Sequence, residues 1–323
     1  DYGASWTRID KGIPSEHFTR VVRADPNRKG ILYAGTETGM YVSFNDGLRW
    51  EAFQQNLPIV PITDLTIKDN SLIVATQGRS LWMLDDLTVL HQLEKTVDKP
   101  VLYSPKPTYR VQGRGGRSSL TAGTNLPNGV ITHFYIPEVN AKKDSVALSF
   151  HAADGRLIKR FSTEDKKNKL TVEKGGNQFV WNMRYDGAER LKGMILWSAS
   201  LSGATAVPGK YTISLSYNGQ EESKEFSILP SPLAETTVEQ MQEQFAFVNG
   251  NNETIDAAHK AIKKIRAVTK KLTEFKTNFK ENEAANDLRA SAKELTTKLS
   301  NIEKALYQTQ NRSNQDPLNF PIR

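Results

Sequence analysis

Apolar and polar residues alternate in short bursts through the first ninety-odd positions. TRVVRAD (19–25), GILYAGT (30–36), GMYVSF (39–44) and RWEAF (49–53) each read as a strand. Successive side chains on a pleated chain point to opposite faces, so period two marks a half-buried strand. Clusters of Gly, Asn, Asp and Pro punctuate the bursts as turns. The pattern then repeats. At an offset of 44, Trp6 falls on Trp50, Pro14 on Pro58, and FTRVVRAD (18–25) on ITDLTIKD (62–69). Three residues drop out at PNRKG, and at an offset of 41 LYAGTETGMYV (32–42) falls on IVATQGRSLWM (73–83).

Four short strands in about 40–45 residues is the repeat length of a propeller blade. From about 130 onward the alternation persists in VITHFYI (130–136), SVALSFHA (145–152), RLIKRFS (156–162), NQFVWNMRY (177–185), GKYTISLSY (209–217) and KEFSILP (224–230). Asp-Gly in AADGR and Asn-Gly in SYNGQ are hairpin signals. Together they predict an antiparallel sandwich, with Trp181 in its core. Carbohydrate stacking by Trp181 or Trp197 is the competing reading of those rings. After PSPLAETTVEQMQEQF the period changes to helical, with Thr236 and Glu239 predicting a capping box. Met241, Val248, Ile255 and Ile262 form one row; Ala258, Ile265, Leu272 and Phe279 form another. Leu288, Leu295, Leu299, Ile302 and Leu306 continue at threes and fours. The seams favour an αα-hairpin or small bundle over a dimerising coiled coil, and NGNN (249–252) is either a break or a polar patch on the first helix.

The fold class expected is therefore multidomain and mainly β plus α. Residues 1–97 would be the last two blades of a partial β-propeller, 98–129 a linker and loop, and 130–232 an Ig-like or fibronectin-like β-sandwich. A helical hairpin or bundle would fill 233–310, and 311–323 an extended tail. Two blades cannot bury both faces alone, so the pattern predicts that further blades of the same protein precede Asp1. They would be the chain's first partner, in the same polypeptide or as a separate fragment.

SFNDGLRW (43–50) sits at one of the predicted hairpins. Ser43, Asn45, Gly47 and Trp50 suit a locally closed turn: side-chain oxygens accept backbone N–H groups, glycine takes a positive φ, and tryptophan covers the turn. Asp1, Gly3, Ser5 and Trp6 keep the same spacing. Both stretches resemble the Asp-box, or bacterial neuraminidase repeat, Ser-x-Asp-x-Gly-x-Thr-Trp. The later copy departs from it at Asn45 and Arg49, the earlier at Ser5. The box occurs in sialidases, other glycoside hydrolases and sortilin-type receptors, where it lies on the propeller rim away from substrate. IVATQGRSLWMLDDL (73–87) resembles the closing blade of large secreted bacterial proteins with sortilin-like propellers, often labelled glycosyl hydrolases. That resemblance implies export, with the protein secreted, periplasmic or at the cell surface and its signal upstream of Asp1. It implies a binding or scaffolding role toward a protein, peptide or glycan ligand, or alternatively the accessory tail of a hydrolase whose catalytic residues lie on other blades.

Composition changes this picture little. The 323 residues include five Trp, ten Tyr and thirteen Phe, enough to build a core. With no cysteine there are no disulfides or thiolate metal sites. No apolar run is long enough for a membrane helix. The net charge of +7 is local: Lys260, Lys263, Lys264, Arg266, Lys270, Lys271, Lys276 and Lys280 face one acid, Glu274, in that stretch. The following segment is more acidic, so internal charge complementation outweighs a phosphate-binding surface, and no nucleic-acid partner is expected. GRGGR (113–117) is a single RGG-like unit without the repetition of RNA-binding tracts.

The chemistry is sparse. His17, His91, His133, His151 and His259 are scattered without ligand spacing, and no cofactor or metal is expected. GxSxG, Walker and GxGxxG motifs are absent. Glycoside hydrolysis needs paired carboxylates; Asp85, Asp86, Asp154 and Asp186 are candidates that nothing in the sequence pairs, and Asp85 and Asp86 read better as a closing turn. Asn252-Glu253-Thr254 and Asn311-Arg312-Ser313 fit the N-glycosylation pattern. No catalytic residue is assigned.

Overall fold

The structure, a computed structural model, describes residues 2–93, 98–111, 125–140, 143–195, 200–313 and 316. It is mainly β, with a helical segment at the C-terminal end. Trp197, Asp1 and GRGGR (113–117) lie outside the described residues.

Strands β1 (Thr19–Ala24), β2 (Leu32–Thr36), β3 (Met40–Ser43) and β4 (Glu51–Ala52) form one antiparallel meander. Strands β5 (Ile62–Lys68), β6 (Ser71–Thr76) and β7 (Leu81–Leu84) form a second. The first three strands of the two sheets share a pattern of backbone bonds. The Thr36 N–H donates to Gly39 O at 2.8 Å and the Thr76 N–H to Ser80 O at 3.4 Å. The Glu37 N–H donates to Phe18 O and the Gln77 N–H to Pro61 O. Both first strands carry a bulge, at Thr19/Val21 and at Ile62/Asp64.

These bonds correct the sequence alignment. Thr19 answers to Ile62, Thr36 to Thr76 and Met40 to Leu81, so the offsets are 43, 40 and 41. Matching apolar to apolar had put the first two strands one residue out of register. In a strand, one residue exchanges the faces. The buried Val21 and Leu65 occupy opposite faces of their sheets, and they meet because the front of sheet one packs on the back of sheet two.

That interface is an apolar layer. Val21, Tyr33, Met40 and Val42 from the first front meet Ile62, Leu65, Leu72 and Val74 from the second back. Gly35 is required there: a Cβ would lie 2.5 Å from the Ile62 side chain. The back of the first sheet is covered by its own chain, where Ala34 and Tyr41 pack with Trp50 and Ile13.

Two further sheets enclose one core. Strands β8 (Val101–Leu102), β10 (Val130–Ile136) and β13 (Gly175–Trp181) make one. Strands β9 (Thr108–Arg110), β11 (Val146–Ala152), β12 (Leu157–Ser162), β14 (Gly209–Tyr217) and β15 (Gln220–Pro230) make the other, in the order β12-β11-β14-β15-β9. Trp181 is fully buried between them, stacked on Phe150 at 4.6 Å. Carbohydrate stacking by Trp181 is thereby excluded. The expected linker is corrected in part: it supplies β8 and β9, and β9 pairs parallel to β15.

Helix α1 spans Val238–Asn278 and α2 spans Asn286–Leu306. The capping box sits one residue beyond its expected place: Thr237 caps, its side chain accepts from the Gln240 N–H, and Gln240 Oε1 accepts from the Thr237 N–H. Glutamine reaches back as well as glutamate does. NGNN (249–252) breaks nothing and lies inside α1. The helices fold back as a hairpin latched on one side by Arg266, which pairs with Glu303 at 2.7 Å and lies over the Tyr307 ring.

Candidate functional site

The SFNDGLRW stretch is a self-closed turn. Ser43 is fully buried, and its hydroxyl accepts from the Gly47 N–H at 2.9 Å while donating to Asn45 Oδ1 at 3.0 Å. Asn45 Oδ1 also accepts the Arg49 N–H at 2.9 Å. Gly47 has φ of 84°, and a Cβ there would press Ile9 at 2.8 Å. Trp50 is buried and donates its indole N–H to Ile9 O at 2.5 Å. The backbone recurs at the earlier copy: Tyr2 and Gly3 have φ of 53° and 88°, against 56° and 84° at Asp46 and Gly47. There Trp6 lies exposed, its indole N–H donating to Gly3 O. The stretch builds a turn and offers no reactive group.

The four candidate carboxylates do not converge on one centre. Asp86 accepts the Thr88 N–H, and Lys106 donates to the Asp85 carbonyl at 3.2 Å, so this pair closes the turn after β7. Asp154 accepts the Arg156 N–H, which with the neighbouring guanidinium holds its carboxyl below the usual range. That is the wrong direction for a general acid. Asp186 pairs with Lys159 at 3.3 Å.

Asp186 and the β11–β12 hairpin do border a groove of about 260 Å³ between the sandwich and α1. Arg156, Tyr185 and Asp186 line one wall; Asn249, Asn252, Glu253 and Asp256 line the helical wall. The helix is anchored beside it. Phe245 meets Tyr185 edge-on at 4.8 Å, Asp256 accepts the Glu189 N–H, and Lys263 pairs with the Glu189 carboxylate. Burial raises the Tyr185 phenol, against the lowering effect of the Arg156 charge. A single aromatic face among amides and carboxylates can hold a polar ring or a peptide by hydrogen bonds. Among the described residues no group of three His, Asp or Glu side chains could hold a metal.

Sequence reasoning missed a buried cluster around Asp25, whose side chain is wholly excluded from solvent. It accepts from Tyr33 Oη at 3.0 Å, from the Asn27 and Arg28 N–H groups, and pairs with His91 Nε2 at 2.8 Å. Burial alone would raise the carboxyl; the bonds from His91, Asn27 and Tyr33 outweigh it and hold it low. Burial and then the Asp25 charge push the Tyr33 phenol far up. Arg28 donates to Leu90 O and Leu93 O at 2.6 and 2.7 Å. The Asp–His pair, with Arg28, fastens segment 85–93 to the first sheet. The one available signal was an Asp and a Tyr at strand ends, which is too common to read.

No family model matches the chain, and no curated protein matches it. Among solved structures it is similar to the extracellular domain of a B. thetaiotaomicron protein described as a hybrid two-component system, BT4673, at 11% identity and a TM-score of 0.19. That match covers 67% of this chain and 26% of the other, so the chain spans about a quarter of that domain's length. The computationally designed Ika8 protein is similar at 14% identity and a TM-score of 0.16, over 64% of this chain and 73% of the other.

Proposed function

We propose that residues 1–97 are the last two blades of an Asp-box β-propeller and that 130–232 form an Ig-like sandwich. The chain is then a non-catalytic C-terminal portion of an exported, sortilin-like propeller protein that binds or scaffolds a protein, peptide or glycan. The face relation carries this reading. The first front is covered by the second back, and a propeller is a ring of such steps. On the second sheet the matching front is Ile73, Ala75, Leu81 and Met83, with Leu81 73% and Met83 58% exposed. A further sheet of the same repeat, in a longer form of the protein, is the complement of that row. The turn geometry at Ser43–Trp50 supports the Asp-box reading, and carboxylates spent on turns and lysines favour binding over hydrolysis.

The test is thiol labelling at Met83→Cys. In this chain the thiol reacts with a maleimide as fast as a free cysteine. In a form carrying the preceding repeats it is protected. Equal labelling in both forms overturns the proposal.

A further inference from the structure

The helical hairpin has a second, unlatched side. At 100° per residue, Val268 and Phe275 share one face of α1, with the C-cap Phe279 packed on Phe275 at 5.0 Å, turned away from the face that Phe245, Asp256 and His259 present to the sandwich. On α2, Leu288, Leu295 and Ile302 form a row seven residues apart, beside the Ala285–Ala292–Leu299 row that meets α1. Leu288 is 62%, Leu295 43%, Ile302 50% and Phe279 42% exposed. Arg266 and Glu303 close the opposite side. The hairpin is thus a two-helix layer with an apolar face, which is half of a four-helix bundle.

We propose that a second copy of this chain covers that face. The flanks carry the choice of occupant. On α1 the open face is bordered by Lys264 and Lys271, each four residues before Val268 or Phe275. On α2 it is bordered by Asp287 and Glu294, each next to a leucine of the row, and by Lys298, which pairs with Glu294 at 2.7 Å. A two-fold axis between the two layers and parallel to the helices sets the α1 edge of one copy beside the α2 edge of the other. Lys264 and Lys271 then meet a margin whose two carboxylates outnumber its one lysine, and Lys271 can draw Glu294 from Lys298 across both copies of the interface. The face points away from the sheets, so two copies approach without displacing the sandwich. This proposal rests on the helices alone and is independent of the propeller reading.

The experiment is sedimentation of the full chain from about 1 to about 100 μM, with variants read against unchanged far-UV circular dichroism. A dimer is expected, weakened about thirtyfold or more by Leu295→Asp, the range of a buried interface anchor. Lys271→Glu weakens it and addition of Glu294→Lys restores it. A chain that stays monomeric throughout overturns the proposal and leaves the face to a different helical partner. A dimer indifferent to Leu295→Asp but dissolved by Met83→Asp also overturns it, since the copies would then meet through the second sheet.

Discussion

Ser43 is small and polar because the turn leaves room for one hydroxyl that must satisfy Gly47 N–H and Asn45 together. Ser43→Ala deletes the acceptor and leaves a buried N–H unpaired, at about 1–2 kcal/mol. Asn45→Asp keeps the acceptor facing Arg49 N–H and changes stability by less than about 0.5 kcal/mol. Urea denaturation of both variants checks the contrast. Asp25 makes a pH-dependent prediction. Its folded-state pKa is depressed, so its stabilising contribution is complete above the unfolded value of about 4 and is lost as pH falls through the folded value. The stability gap between the native chain and Asp25→Asn should therefore narrow as pH drops below about 4. A gap constant with pH would remove the carboxylate from that role.

At the scale of elements, the sequence was most legible where one face is wet. Period two located β12, β14 and β15, which carry exposed positions beside buried ones, and also β10 and β11, where the second face is half-buried. Register between the first two sheets was not legible. Both faces of β2 and β3 are buried, so hydrophobicity carries no sign of which face is which. Strands β8 and β9 escaped notice because two- and three-residue strands beside prolines have no period. The Asp25 cluster escaped for a different reason: its members come from positions 25, 33 and 91, and only the folded chain brings them together. Trp181 was legible as core, and Trp181→Ala should cost about 3–5 kcal/mol, since Phe150, Tyr211 and Phe226 cannot all close on the vacated volume. Thr237→Ala costs about 1 kcal/mol and frays only the first turn of α1.

At the scale of the molecule, rigidity depends on a few polar fasteners at the joints. Arg28 grips Leu90 and Leu93, and Gln92 exchanges two hydrogen bonds with Ser104, so the first two sheets are tied to the strand entering the sandwich. Helix α1 is held differently. Its first half and the turn beyond its middle touch the sandwich, through Phe245 against Tyr185 and the Glu189–Asp256–Lys263–His259 contacts, while the rest meets α2. The groove between helix and sandwich exists only while that first half is docked. Phe245→Ala removes the aromatic anchor but none of the polar bonds. Amides of 238–262 should then exchange faster while those of β11, β14 and β15 do not change, because the sandwich core lies elsewhere. Uniform acceleration across both would mean that helix and sandwich unfold as one unit, and the groove would be a fixed feature of the fold. Acceleration confined to the helix would make it a site whose walls can part, with ligand binding and helix docking drawing on the same free energy.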